Sequence, residues 1–461
     1  VRHDIHTTSA YILGGARATA AGALLAALAA CGGSDEGGGS LPAEDCTNPG
    51  QVATVLDAMD TFYFWNDVSE QRDKYRDLDI DSFADTDALL EFLRYRPDEF
   101  DRFFTNIGTI EQDTSFFGPG EFVGYGFSFS PNAAGDALDI TQVFAGSPAD
   151  VAGFARGISI VAVDGRTIPE IEAAEGIEDA FGESEVGITQ QITLQSPGGQ
   201  PFVVTPTKAT VTIDPVPQHR VIDVNGRMIG YVEFRAFIST APEKLTNAFA
   251  DFVAAGVTDV VVDARYNGGG LLNVAEFFAS LLAGPANVGR VQSIARYNVS
   301  NRFRNFESEF LAQSNSIDLA SIVFITTDSS ASATEVVINS LEPYVEVALV
   351  GADTFGKPVG QDAFDFCDLR LRLVTFENLN ANQQGGFFDG LPVDCPADDE
   401  LALPIGDAFE DSLATALGRI TTGACPITSA PRGAALQSIA EPSRARAQRA
   451  DTAAREFAYA Y

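Results

Sequence analysis

Basic residues are scarce in this 461-residue chain. Lysine occurs only at Lys74, Lys208, Lys244 and Lys357, and histidine only at His3, His6 and His219. A site built from several histidines is thereby excluded. Acids outnumber bases 64 to 29, a formal net charge of −35; such a chain repels phosphate backbones, so no nucleic-acid partner is expected. Cysteine is limited to five positions with no C-x-x-C pair and no histidine nearby, so neither a metal site nor a cofactor is expected. What is present suits a folded body. Apolar residues make up 45% and charged residues 20%, enough to bury a sizeable core, and the length corresponds to about three domains at roughly 150 residues each.

The first segment reads as an address. Arg2 and Arg17 precede an apolar or small-residue run from Ala18 to Ala30, shorter than the roughly 20 residues a membrane-spanning helix needs, so residues 1–30 are expected to be a signal peptide. The run ends in Leu28-Ala29-Ala30-Cys31, which resembles the lipobox of bacterial lipoproteins; the resemblance implies acylation of Cys31, export and a lipid anchor. Gly32 rather than aspartate follows the cysteine, which by the same resemblance to Gram-negative lipoproteins implies the outer membrane, facing the periplasm. An ordinary cleaved signal with an incidental cysteine is the other reading. Residues 31–45 are rich in Gly, Ser and acids and suit a flexible tether. Export makes disulfides plausible for Cys46, Cys367, Cys395 and Cys425. Of three possible connectivities, Cys367–Cys395 closes a local loop and Cys46–Cys425 ties start to end, and this pairing is expected; free thiols or a metal are the alternatives.

The remainder falls into three parts and a tail. In residues 46–112, Val52, Val55, Leu56, Met59 and Phe62 follow the spacing of one buried helix face, and a second helix is expected from Asp85 or Thr86 to Leu93, ahead of Pro97. The aromatic groups Phe62-Tyr63-Phe64-Trp65 and Phe103-Phe104 read as core of a small helical domain. Residues 113–212 change to short alternating strands with glycine turns. Gly124-Tyr125-Gly126-Phe127, Gly146-Ser147-Pro148-Ala149 and Val163-Asp164-Gly165 together resemble a PDZ domain of the bacterial protease type. Ile158-Ser159 departs from that pattern where an aspartate is usual. The resemblance implies that Gly124, Tyr125, Gly126 and Phe127 bind a peptide, with backbone N–H groups on its terminal carboxylate; a β-rich spacer without ligand is the alternative. Residues 213–425 alternate strand and helix: strands Met228–Phe234, Val260–Asp263, Ile322–Thr326 and Val345–Val350, with helices near Ala241–Ala255, Leu271–Leu282 and Ser332–Leu341. The expected fold class is therefore an α/β core, a βα-repeat sheet covered by helices, with an N-terminal helical domain and an inserted PDZ-like β-rich domain. Ligands of such sheets gather beyond the strand C-termini. Residues 426–461 read as a flexible tail.

The chemistry narrows by elimination. No G-x-S-x-G elbow occurs and no lysine stands three residues after a serine. His219 lies at what reads as a domain junction. A serine nucleophile would thus need a lysine as base, and only Lys357 follows a buried strand in a glycine-rich turn; a surface lysine without a role remains open on position alone. Ser330-Ala331-Ser332-Ala333-Thr334-Glu335, then Phe355-Gly356-Lys357 and Gln361, with Asp263-Ala264-Arg265-Tyr266-Asn267-Gly268-Gly269-Gly270 upstream, resemble the C-terminal processing (tail-specific) serine proteases over about residues 50–425. Pro358 and Ala264 depart from that family's usual glycine and leucine. The resemblance implies an endopeptidase acting on polypeptides, with Ser332 as nucleophile, Lys357 as general base and Gln361 orienting the lysine. Ser332 at a helix start places the Ala333 N–H beside the reacting carbonyl, and the Gly268–Gly270 turn is expected to add the Gly269 N–H as the second donor of an oxyanion hole. A lysine serves as base only when neutral, which burial favours. The rival reading is a non-catalytic peptide-binding lipoprotein scaffold on the same fold.

Overall fold

The computed structural model describes residues 46–426 apart from positions 77, 175 and 178. The expectations for the signal peptide, Cys31, the tether and the tail lie outside the described residues. Among the described residues no helix is long and apolar enough to cross a membrane.

The strands rich in valine and isoleucine build a six-stranded sheet in the order Gln218–Val224, Arg227–Glu233, Asp259–Asp263, Ser321–Thr326, Val347–Gly351, Cys395–Pro396. The first pair is antiparallel and the rest parallel, because each later strand is reached through a crossover. Helices cover both faces. Leu245, Phe249 and Phe252 of helix Ala241–Ala255, Val274, Phe278 and Leu281 of Leu272–Ala283, and Val337 and Leu341 of Ala333–Leu341 pack on one face with Val260, Val262 and Phe324. Helix Asp411–Thr422 covers the other through Leu413, Ala416 and Ile420 against Val261, Val323 and Val350. Two buried faces explain why strand Asp259–Asp263 is apolar without alternation.

A second, antiparallel sheet was not expected. Strand Leu369–Leu379 is its spine, pairing with Asn106–Thr109, Val291–Tyr297 and Val359–Phe366, while Phe306–Glu309 adds to Val291–Tyr297. Its alternation Leu369-Arg370-Leu371-Arg372-Leu373 puts the leucines at 371 and 373 in the core and leaves both arginines to Asp113. The helices Asn48–Phe62 and Thr86–Leu93 form as expected, the latter capped by the Asp85 side chain on the Ala88 N–H. They do not build a core of their own: Val55, Met59, Leu89, Leu90 and Leu93 share one with Phe364, Leu371 and Val374.

Between these parts, strands Phe127–Pro131, Leu138–Val143, Ser159–Val163, Ile192–Gln195 and Phe202–Val204 form an antiparallel sheet in that order. Its core holds Tyr125, Phe127, Ile140, Ile160 and Phe181. Strand Glu121–Gly124 pairs with Ala209–Thr212 where the chain enters and leaves it.

The disulfides are Cys46–Cys367 and Cys395–Cys425, which corrects the expected pairing. Cys367 sits at the hairpin turn of the antiparallel sheet, and Cys395 on the edge strand of the parallel one, so nearness in sequence did not bring them together. Helix Asn48–Phe62, lying on the antiparallel sheet, carries Cys46 to the hairpin. Cys425 follows helix Asp411–Thr422, which packs over strand Val347–Gly351, the neighbour of Cys395.

Candidate active site

The C-terminal ends of the parallel strands hold the serine turn. Ser332 stands just before helix Ala333–Leu341 at φ 54° and ψ −115°. A non-glycine residue there costs about 1–3 kcal/mol and persists only where surrounding bonds dictate it. Those bonds come from the loop after the neighbouring strand Asp259–Asp263. The Asn267 carbonyl accepts from Ala331 N at 3.1 Å and Thr334 Oγ1 at 2.9 Å, and Ser330 Oγ donates to the Ala264 carbonyl at 2.8 Å. Asn267 is itself fixed by its Nδ2 on the Phe234 carbonyl at 2.9 Å. The other serine of the motif, Ser330, is thus structural.

Gly269 touches this turn. A Cβ added there would lie 2.7 Å from Ala333 N and 2.9 Å from Ser332 Cβ, and its φ is +110°, so only glycine lets the two loops meet. Its N–H, expected in the oxyanion hole, instead donates to Asn267 Oδ1 at 3.0 Å. Anchoring of Asn267 through Nδ2 turns its oxygen onto Gly269. Ala333 is the first residue of its helix, where an N–H has no partner within the helix.

Glu335, to which sequence reasoning assigned no role, joins serine turn and lysine loop. Fully buried, its Oε2 accepts from Ser332 N and Lys357 N, both at 2.8 Å, and its Oε1 from Gly356 N at 2.7 Å and Thr354 Oγ1 at 2.5 Å. Burial raises its pKa, and these donors oppose the rise. All four contacts are donors, as a carboxylate requires. The Ser-x-x-Glu spacing at a helix start was the available signal.

Lys357 Nζ donates to Gln361 Oε1 at 2.6 Å and lies 5.1 Å from the centre of the Phe104 ring. Burial lowers the pKa of this lysine to about 8; Arg372 nearby lowers it too, while Asp101 and Glu335 oppose the drop. Gln361 Nε2 in turn donates to the Phe104 carbonyl at 2.5 Å. The amide thus keeps its oxygen toward the amine without adding charge. Phe104, together with Arg102 on the carbonyls of Phe355 and Gly356, comes from the helical segment and was read in sequence only as core.

His219 pairs with Asp251 at 2.8 Å on the sheet edge. Behind the loop, buried Arg265 meets Asp263, Asp399 and Glu410. Among the described residues no group of three His, Cys, Asp or Glu side chains is arranged to hold a metal. In the β-rich sheet, Tyr125 and Phe127 are fully buried, while the carbonyls of Tyr125 and Gly126 accept from Ala149 N at 2.8 Å and Phe144 N at 2.9 Å. The Gly124–Phe127 and Gly146–Ala149 segments therefore lie together. Gly126, at φ +88°, leaves room for Ser147, whose Cβ would stand 2.3 Å from an added Cβ.

Comparison with known proteins points to one family. Residues 228–395, which hold Ser332, Lys357 and Gln361, match peptidase family S41. The chain is 29% identical over 252 residues to a carboxyl-terminal-processing protease of Picosynechococcus sp., covering 54% of this chain and 58% of that one. It is 27% identical over 296 residues to a chloroplastic C-terminal processing peptidase of Tetradesmus obliquus, covering 61% of each. It thus spans about three-fifths of the length of these relatives. A crystal structure described as an S41 protease of Bacteroides fragilis superposes with a TM-score of 0.64 at 25% identity, covering 80% of this chain and 97% of that one. The photosystem II D1 C-terminal processing protease shares the fold, with a TM-score of 0.50 at 22% identity over 78% of this chain and 95% of that one. The segment that carries the serine turn and the lysine loop is thus similar to peptidase family S41, and the relatives that it matches are described as C-terminal processing proteases.

Proposed function

We propose that this protein is an exported, lipid-anchored serine endopeptidase that cleaves polypeptides through a Ser332–Lys357 dyad. One observation carries the reading: a single buried carboxylate, Glu335, holds the main-chain N–H groups of both Ser332 and Lys357, while Gln361 engages the lysine amine at 2.6 Å. The neutral amine of Lys357 takes the proton of Ser332 Oγ as the oxygen attacks the scissile carbonyl, and later returns it to the leaving amine. A pKa near 8 leaves a working fraction of neutral lysine at neutral pH. The developing oxyanion is met by Ala333 N–H at the helix start; a second donor from Gly269 requires Asn267 Oδ1 to release it.

The β-rich insert, residues 113–212, acts in this reading as a PDZ domain that recognises or gates substrate C-termini through Gly124–Phe127. The signal peptide delivers the chain to the outer membrane, where lipid on Cys31 anchors it toward the periplasm. The test is turnover of unfolded polypeptides with free or amidated C-termini by the mature protein, with Ser332→Ala as control. Cleavage that depends on Ser332 and favours the free terminus is expected. Equal cleavage by Ser332→Ala removes the serine reading, and indifference to amidation removes the PDZ role. Recovery of Cys31→Ala and wild type in the same soluble, unacylated fraction removes the anchor.

A further inference from the structure

The turn Asp101–Thr105 closes the N-terminal helical segment, with 254 positions between Arg102 and Gly356. The Arg102 guanidinium donates to the carbonyls of Phe355, at 3.2 Å, and Gly356, the two peptide units before Lys357. It lies over the rings of Phe355 and Phe104, 4.5 and 5.4 Å from their centres. Phe104 offers its carbonyl to Gln361 and its ring to the Lys357 amine. Phe103 between them stands at φ 60°, a conformation bulky side chains avoid. Asp101 holds it there, accepting from Tyr63 Oη at 2.5 Å and Thr105 N at 2.8 Å.

We propose that Asp101–Thr105 is a base-positioning turn, in which Arg102 as a positioning residue fixes the peptide leading into Lys357 while Phe104 fixes Gln361 and covers the amine. The proposal rests on the Ser332–Lys357 reading. A lysine side chain turns freely about four carbons, and its ammonium is strongly hydrated, so without a fixed stem and a dry cover it swings into water and stays protonated. A planar guanidinium suits the clamp because it can donate to two carbonyls and stack on rings at once. The charged groups around the amine are Asp101 from the turn, Glu335 from helix Ala333–Leu341 and Arg372 from strand Leu369–Leu379, with Arg102 on the adjoining peptide. Replacing Arg102 leaves the first three in place.

The test follows kcat and KM against pH for the mature protein and its Arg102→Lys, Arg102→Met and Phe104→Leu variants, with circular dichroism to report folding. Both Arg102 variants are expected to lose about 100-fold in kcat at neutral pH, as for a reacting group misplaced by an ångström, with KM nearly unchanged. The rising limb of the kcat profile is expected to move to higher pH than the wild-type limb near 8, because a hydrated amine holds its proton. Phe104→Leu keeps the carbonyl and loses the ring; it is expected to shift the limb with a smaller loss. A wild-type profile in a folded Arg102→Lys protein reduces Arg102 to a charge and overturns the proposal. An unmoved limb in Phe104→Leu overturns it as well, even where an Arg102 variant fails to fold. Lys357→Arg separates the two readings: activity there removes the dyad itself, whereas an inactive Lys357→Arg beside wild-type-like turn variants removes the positioning turn alone.

Discussion

The serine turn and the lysine loop lie side by side yet are built in different ways. Ser332 is held by groups from two adjacent parallel strands and the helix that follows it, with Asn267, Ala264 and Glu335 all inside the parallel-sheet core. Lys357 has Glu335 in common with the serine, but its amine answers to Gln361 on the antiparallel sheet and Phe104 from the helical segment. The strained backbone at Ser332 is fixed by one sheet end. A neutral lysine needs a dry enclosure, and no single strand end can enclose a long side chain. The difference teaches that, in the proposed dyad, the lysine draws on the added layers and the serine does not.

The sharpest way to break this division is Lys357→Arg. Arginine keeps charge and length but stays protonated, so activity should fall by about 10²–10⁴-fold, the usual worth of a general base, with an unchanged circular dichroism spectrum. Gly269→Ala should strike the serine side instead. Its Cβ meets Ala333 N at 2.7 Å at a φ of +110°, so we expect loss of labelling of Ser332 by a fluorophosphonate and a stability loss of about 1–3 kcal/mol in urea unfolding. Glu335→Gln attacks the shared joint. An amide cannot accept at both ends, so one donor faces an NH₂ group, and stability should drop by about 1–3 kcal/mol while labelling of Ser332 slows.

A pH series then sharpens the lysine half. The folded pKa of Lys357, about 8, lies below its ordinary value of 10.5, so between these pH values the unfolded chain binds more protons. Wild-type stability relative to Lys357→Met should therefore rise as pH climbs through that window, by about 3 kcal/mol at most, and the gain should be lost as pH falls through 8. Activity should rise through the same lower limit, since only neutral amine accepts a proton. The smallest effect on activity is expected from removing Cys395–Cys425 on the far edge of the parallel sheet. Serine at both positions should leave turnover within about twofold while lowering stability by roughly 2–4 kcal/mol.

The same contrast governs what could be read in the sequence. Apolar strands followed by glycine- or serine-rich turns announce the parallel sheet, so the strand leading to Ser332 and its helix fall close to where the spacing put them. Ser332, Lys357 and Gln361 lie within 30 residues and form a local pattern. The Phe104 carbonyl does not: nothing in Asp101–Thr105 marks a backbone oxygen for a glutamine 257 positions away. The long strand Leu369–Leu379 is legible in its leucine–arginine alternation, a period of two that breaks the βα rhythm before it. Cysteine pairing failed for a related reason, since distance along the chain is a poor guide once two sheets are involved.

Cys46–Cys367 spans 321 positions, and Ser332 and Lys357 both lie within the covalent ring it closes. A single backbone cut anywhere inside that ring opens the ring without releasing a fragment. Nicked molecules would then migrate as one chain until a reductant is added, and the two pieces could stay folded around the shared core of helix Asn48–Phe62 and the hairpin. The bond converts an otherwise dividing cut into a silent one.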